Sequence, residues 1–182
     1  NNTLQSVILT AHPHALLFPH LAYLATAWQQ LPAPKKVLEL GLGGGAIRNY
    51  LLEQYPQVQV TSVEKSPHII NCYQQFFAPS EQQQIHCEDA QTILKSAEHM
   101  DWVILDLFSE LDAPRFLFDS CFYQTIYDAL DQQGILFINF LSQHSSQLTQ
   151  LQHVLLTVFG KAISIQKITG FVNHIVIVKK AR

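Results

Sequence analysis

The chain has 182 residues, enough for one domain (1–182) with a core of its own, and its 48% hydrophobic against 14% charged content excludes a disordered chain. A net charge of -3 leaves no basic stripe for a phosphate backbone, so nucleic acid is not an expected partner. No apolar run reaches the ~20 residues of a membrane span and the first residues lack a signal pattern, so no membrane partner and a cytoplasmic protein are expected.

Residues 1–35 read as a lead-in strand and helix. Ser6-Val7-Ile8-Leu9-Thr10 has strand-like content, Pro13 and Pro19 punctuate the next stretch, and Leu21 to Trp28 reads as a helix closed by Leu31-Pro32-Ala33-Pro34. Asn1 in place of Met points to a trimmed version of something longer. His12, His14 and His20 cluster by sequence, but they have no acidic partner or helical ligand spacing, so no metal is expected. Next, Lys36-Val37-Leu38-Glu39-Leu40 predicts a strand, Gly41-Leu42-Gly43-Gly44-Gly45 a tight loop, and Ala46 to Leu52 a helix. Val58 to Val63 predicts a second strand, ending at Glu64. Ser66-Pro67 reads as an N-cap and first helical position, opening a helix to about Phe77 that Pro79 stops.

Gln84 to Cys87 reads as a short strand, Glu88-Asp89-Ala90 opens a helix, and Asp101 to Asp106 is an apolar strand ending in a carboxylate. A loop from Leu107 to Phe118 holds Ser109, Glu110, Asp112 and Pro114, and a helix follows with Phe122, Ile126 and Leu130 on one stripe. Gly134 ends the turn before the strand Ile135 to Phe140, and Leu148, Leu151, Leu155 and Val158 mark one more helix, ended by Gly160. Ala162 to Ile168 and Phe171 to Val178, either side of Thr169-Gly170, predict a closing hairpin. Cys72, Cys87 and Cys121 are odd in number and far apart, so they are read as reduced thiols.

Strand, glycine loop and helix together describe a ligand cradle: glycines let a ligand approach without Cβ atoms in the way, and the helix N-terminus points N–H groups at it. The acid about 20 residues on, Glu64, stands where the two hydroxyls of an adenosine ribose would be held. Glu39 to Gly45 fits E-x-G-x-G-x-G, an adenosylmethionine-type loop in which Gly41, Gly43 and Gly45 line the cofactor. Gly41 to Ala46 also fits the dinucleotide pattern G-x-G-x-x-A, which leaves a nicotinamide cofactor open. Asp89 favours the adenosyl type, since a carboxylate after the third strand can accept from an adenine amino group, although Asp before a helix is also an N-cap. Glu39, under the loop, is expected to meet an ammonium on the cofactor tail, and the N–H groups of Gly43 to Ala46 a carboxylate. Asp106 ends a central strand at the ligand-binding edge, where it can take a proton from an attacking amine or act as a structural acid.

Through Lys36 to Phe140 these residues resemble the spermidine synthase-like branch, or polyamine aminopropyltransferases, of the class I S-adenosylmethionine-dependent methyltransferase fold. The motifs that carry the likeness are Pro34-Lys35-Lys36-Val37-Leu38, the glycine loop, Val63-Glu64, Glu88-Asp89-Ala90, Asp106, Phe122-Tyr123 and Gly134-Ile135-Leu136. The resemblance implies an α/β, Rossmann-like fold: a mostly parallel seven-stranded sheet ending in an antiparallel hairpin, with helices on both faces. It also implies that the counterpart of Glu64 binds ribose, that of Asp89 the adenine side, and that of Asp106 assists the attacking amine. The cofactor would be S-adenosylmethionine or its decarboxylated form, with methylthioadenosine as product, and the partners a small-molecule amine or other small acceptor, with a homodimer allowed for. Gly44 and Ser109 stand where family enzymes carry acids, Glu39 is more typical of methyltransferases, and the small N-terminal β-domain of the synthases is almost wholly missing. Methyl transfer to an unidentified acceptor, or a non-catalytic nucleoside-binding module, therefore stays open.

Overall fold

The computed structural model describes residues 6–9, 11–77, 84–108, 114–142, 144–160 and 162–180. Its strands are β1 (Lys36–Leu40), β2 (Gln59–Glu64), β3 (Ile85–Cys87), β4 (Met100–Leu105), β5 (Leu130–Leu141), β6 (Ile163–Lys167) and β7 (Asn173–Lys179). The helices are α1 (Pro19–Trp28), α2 (Ala46–Gln54), α3 (Pro67–Cys72), α4 (Ala90–Ile93), α5 (Ser120–Ala129) and α6 (Ser145–Phe159). One sheet runs β3-β2-β1-β4-β5-β7-β6, parallel through β5, with β7 antiparallel to both of its neighbours. The strand order reverses beside β1, between β1 and β4, and that switch point opens a crevice at the carboxyl ends of the strands.

Both faces of the central strands are covered, which is why Val103, Ile104 and Leu105 are all buried in succession. Side chains alternate across a strand, so one face carries Leu38, Leu40, Val63, Val103, Leu105, Leu136 and Ile138 against α5 and α6. The other carries Val37, Val60, Trp102, Ile104, Phe137 and Ile175 against Leu21, Leu24 and Trp28 of α1 and Ile47, Tyr50 and Leu51 of α2. Trp28 stacks on Trp102 at 5.9 Å and meets Phe137 edge-on, anchoring α1 to the middle of the sheet.

Most predicted elements stand within a residue or two of their expected bounds, and Ser66 caps α3 by accepting the Ile69 N–H. That helix passes into a π-helical turn over Tyr73–Phe77, and Pro79, expected to stop it, lies outside the described residues. Two expectations are corrected. Ser6 to Leu9 forms no strand: Leu9 makes only an isolated bridge to His12, whose N–H bonds the Leu9 carbonyl in a tight turn before Pro13. Thr10, the last residue of that expected strand, lies outside the described residues. Leu130 does not extend the helical stripe but opens β5, pairing with Met100, and Gly134 lies within the strand, not in a turn before it. The register between β4 and β5 is irregular there, and a Cβ on Gly134 would lie 2.9 Å from the Leu130 Cβ and the Met100 carbonyl. Only glycine fits that crowding.

Candidate functional site

The glycine loop sits at the switch point because β1 ends in it, one strand from β4. Gly41 has φ +100°, and a Cβ there would stand 2.2 Å from the Asp106 carbonyl oxygen, so its lack of a side chain lets the ends of β1 and β4 close together. Gly45, at φ +69°, lies against the Tyr73 ring, which a Cβ would strike at 2.0 Å. Gly43 is exposed and open, with nothing among the described residues nearer its Cβ position than the Ser6 hydroxyl at 3.9 Å. Gly45 is also the N-cap of α2 and has no side chain to cap it, so the first-turn N–H groups of this nine-residue helix face the crevice mouth. The expectation that every N–H from Gly43 to Ala46 is free is corrected. Gly44 donates to the Ser6 hydroxyl at 3.0 Å, and Gly45 to the Leu42 carbonyl at 2.7 Å.

Beneath the loop, Glu39 is 1% exposed and faces β2, where the Ser62 hydroxyl donates to its Oε2. Arg48 of α2 donates to that Ser62 oxygen at 3.1 Å and to the Val60 carbonyl at 2.7 Å. Burial pushes the Glu39 carboxyl up to about 8, against the pull of the Ser62 hydrogen bond and the Arg48 charge. The structure therefore gives Glu39 a place inside the sheet, under the loop, with protein partners of its own.

Glu64 ends β2 half-buried at the crevice; its Oε1 accepts the Ser66 N–H at 2.9 Å, and Oε2 has no hydrogen-bond donor among the described residues. Asp89 caps α4: Oδ1 accepts the Gln91 N–H at 2.9 Å and Oδ2 pairs with Lys65 at 3.1 Å. The Gln91 N–H first, and Lys65 with it, hold the Asp89 carboxyl below its usual range. The N-cap use of Asp89 is thus present, and any further ligand contact would add to it.

Asp106 follows β4 and is partly buried beside Gly41. The Asn139 side-chain amide donates to its Oδ1 at 2.8 Å, while Oδ2 has no donor among the described residues. Burial pushes its carboxyl up to about 6, the Asn139 hydrogen bond pulling the other way. At neutral pH it is therefore mostly ionised and close enough to its own midpoint to exchange a proton readily.

The register joins several of these groups into a band. Glu39 lies opposite Ser62, Asp106 is level with Asn139, and Asn173 lies across from Leu141, two residues further along β5. Alternation puts Ser62, Glu39, Asp106, Asn139 and Asn173 on the α1–α2 face, as a diagonal polar row at the crevice end above an apolar floor. Sequence reading missed Ser62, Arg48, Asn139, Asn173 and Ser6. A signal for three of them exists: a polar residue at a face position inside an apolar strand, as in Ile135-Leu136-Phe137-Ile138-Asn139-Phe140, needs a partner when buried. Ser109, Glu110 and Asp112 lie outside the described residues. Among the described residues no group of three or more His, Cys, Asp or Glu side chains is arranged to hold a metal, and no helix is long and apolar enough to cross a membrane.

The model of the spermine/spermidine synthase domain matches residues 20–164. The chain belongs to that family. Within it, the chain is similar to the polyamine aminopropyltransferase of Vibrio vulnificus, 28% identical over 133 residues that make up 70% of this chain and 44% of that protein. It is also similar to the mouse eEF1A lysine and N-terminal methyltransferase, 23% identical over 92% of this chain and 26% of that protein. The chain thus spans less than half the length of these relatives. Among solved structures, human methyltransferase-like protein 13 in complex with SAH superposes with a TM-score of 0.81 at 20% identity, over 91% of this chain and 83% of that one. A probable spermidine synthase from Corynebacterium glutamicum gives a TM-score of 0.81 at 20% identity, over 93% of this chain and 67% of that one. These likenesses show the fold, a mostly parallel seven-stranded sheet closed by an antiparallel hairpin.

Proposed function

We propose that this chain is a transferase that binds an S-adenosylmethionine-type sulfonium at the switch point and moves its aminopropyl group to a small amine. The observation that carries the reading is Asp106: an acid at the crevice end of β4, held through one oxygen by Asn139 and with no donor to the other among the described residues, beside a glycine loop that is open at Gly43. The residues fit such a cofactor. Gly43 leaves room for backbone approach, the uncapped start of α2 offers N–H groups, and Glu64 keeps one oxygen for a ribose hydroxyl. When bound, the sulfonium supplies an electrophilic carbon and a neutral thioether leaving group. The protein's part is positioning and proton removal: as the acceptor nitrogen forms its new bond to carbon, the carbon–sulfur electrons go to sulfur and the proton goes to Asp106 Oδ2.

Methyl transfer is the second reading, favoured by Gly44, which supplies no acid to repel a tail carboxylate. Support for the leading reading comes from the family and from a relative named polyamine aminopropyltransferase. Support for the second comes from the relatives named eEF1A lysine and N-terminal methyltransferase. Calorimetry against adenosylmethionine, its decarboxylated form, methylthioadenosine and NAD, followed by mass spectrometry of a diamine incubated with each sulfonium, tests both. A diamine heavier by one aminopropyl unit supports the first reading and one heavier by a methyl group the second; binding of NAD alone overturns both.

A further inference from the structure

Asp106 is not alone in the sheet. Its Oδ1 accepts from the Asn139 amide nitrogen at 2.8 Å, and the Asn139 amide oxygen accepts from the Asn173 amide nitrogen at 2.8 Å. Both asparagines are nearly fully buried, at 2% and 6% exposure. Asp106 follows β4, and Asn139 and Asn173 lie in β5 and β7, the next strands of the sheet, so the chain of hydrogen bonds crosses from the reacting edge to the second strand of the closing hairpin. Asn173 is also tied to the hairpin turn, its carbonyl accepting the Ile168 N–H at 3.0 Å.

We propose that Asn139 and Asn173 are positioning residues: a two-link amide relay, anchored in the β6–β7 hairpin, that fixes Asp106 with Oδ1 held in the sheet and Oδ2 left to receive the acceptor's proton. The inference rests on the proposed role of Asp106. Its physical basis is direction. An asparagine amide presents a donor at one end and an acceptor at the other, and a lone Asn139 is free to turn either end toward Asp106. Asn173 opposes that turn, because the N–H it donates holds the Asn139 oxygen toward β7 and hence the Asn139 nitrogen toward β4. Turned round, Asn139 would set its oxygen against the Asp106 oxygen at hydrogen-bond distance, two acceptors facing each other where water is excluded.

Among the described residues, other charges do not supply the same control. The titratable group near Asp106 on β1 is Glu39, which burial keeps protonated up to about pH 8, so it carries little charge while Asp106 titrates. Arg48 is engaged with Val60 and Ser62 on the far side of Glu39. The relay is therefore the group of contacts among the described residues that orients Asp106 and pulls its acidity back against the effect of burial.

The test is a carbon-13 NMR titration of aspartate side chains in the parent, Asn139→Leu and Asn173→Leu proteins. In Asn173→Leu the Asn139 oxygen loses its donor with no charge added, and Asn139 is free to turn that oxygen toward Asp106. Both variants should raise the Asp106 midpoint by about one to two pH units, although the Asn173 side chain hydrogen-bonds Asn139 and not Asp106. In the parent, the side-chain amide signals of Asn139 should shift with the same midpoint as Asp106. A purely structural pair, knitting β5 to β7, would lower the melting temperature and leave the Asp106 midpoint where it is; that result overturns the relay. If either variant fails to fold, the parent amide titration decides: amide signals that ignore the Asp106 midpoint overturn it equally. None of these readouts needs turnover, so a protein that titrates as expected but transfers nothing refutes the proposed function and leaves the relay standing.

Discussion

Asp106→Asn should make the protein more stable at neutral and alkaline pH while abolishing transfer. The amide introduced by this substitution keeps an oxygen to accept from Asn139, so the change removes the ionisation and little else. In the parent, burial raises the carboxyl from 3.8 to about 6, so between those values the folded chain binds more protons than the unfolded one and unfolding free energy falls as pH rises. A raised acid thus costs stability above its folded midpoint, and two pKa units correspond to about 3 kcal/mol at pH 8 but only about half of that at pH 5. Other groups titrate alike in both proteins, so the difference between them isolates Asp106, apart from Glu39, whose carboxyl loses the upward push of the Asp106 charge. Urea unfolding at pH 5 and pH 8 reads it directly, provided the denaturant slopes agree. Nucleoside affinity should stay within a few fold, because the contacts proposed for the nucleoside lie on other residues. A stability gap that is constant with pH, or a variant that is the less stable of the two at pH 8, refutes the argument, and transfer at the parental rate makes Asp106 structural.

Glu64→Ala should weaken methylthioadenosine binding by about 10-fold or more, since a charged hydrogen bond to ribose is lost; unchanged affinity by calorimetry removes Glu64 from the site. Gly41→Ala should destabilise by roughly 2–4 kcal/mol, from a positive φ and from the 2.2 Å approach to the Asp106 carbonyl that would break the Asp106 N–H to Leu40 carbonyl bond. A loss below about 1 kcal/mol in urea unfolding would show that the ends of β1 and β4 can part without cost. Gly44→Asp should turn preference toward decarboxylated adenosylmethionine, but its Cβ would meet Ser6 Cβ and Oγ at 2.5 Å, so the comparison is made in a Ser6→Gly background. Titration with both sulfoniums reads it, and an unaltered order of affinities counts against a tail site at Gly44.

The parts of the fold that were legible are those whose signals are local. An apolar run broken by Gly41 to Gly45 marks β1 and the cradle, and Thr169-Gly170 between two β-branched runs marks the hairpin. The helix and strand meeting at Leu130 were not separable, because one leucine satisfies the helical stripe behind it and the strand ahead. Asp89 illustrates the limit for single residues: the same carboxylate in the same place serves as an N-cap, and only the Gln91 and Lys65 contacts show that it does. Asn139 and Asn173 are 34 residues apart, on strands whose pairing is antiparallel, and no local pattern states the register that brings their amides together.

The state of Glu39 changes what the glycine loop says about the cofactor tail. The sequence places an acid under the loop, and a charged acid there would attract a tail ammonium. In the structure that acid is buried between Ser62 and Arg48 and keeps its proton up to about pH 8, so at neutral pH it offers a hydrogen-bonding carboxyl and little negative charge. Among the described residues, the acid beside the loop that carries charge at neutral pH is then Asp106, which is partly exposed. The tail carboxylate of an intact sulfonium would find the Gly44 N–H already given to Ser6, so its place is nearer Gly43 and the first turn of α2. One acid placed to meet the acceptor would then also be the nearest charge for the tail, and the two demands oppose each other: an ammonium held at Asp106 lowers its affinity for the proton it is to receive. What stands beside Asp106 therefore bears on the choice between methyl and aminopropyl transfer together with the missing acid at Gly44, because either sulfonium brings a tail ammonium that competes with the acceptor for the one carboxylate.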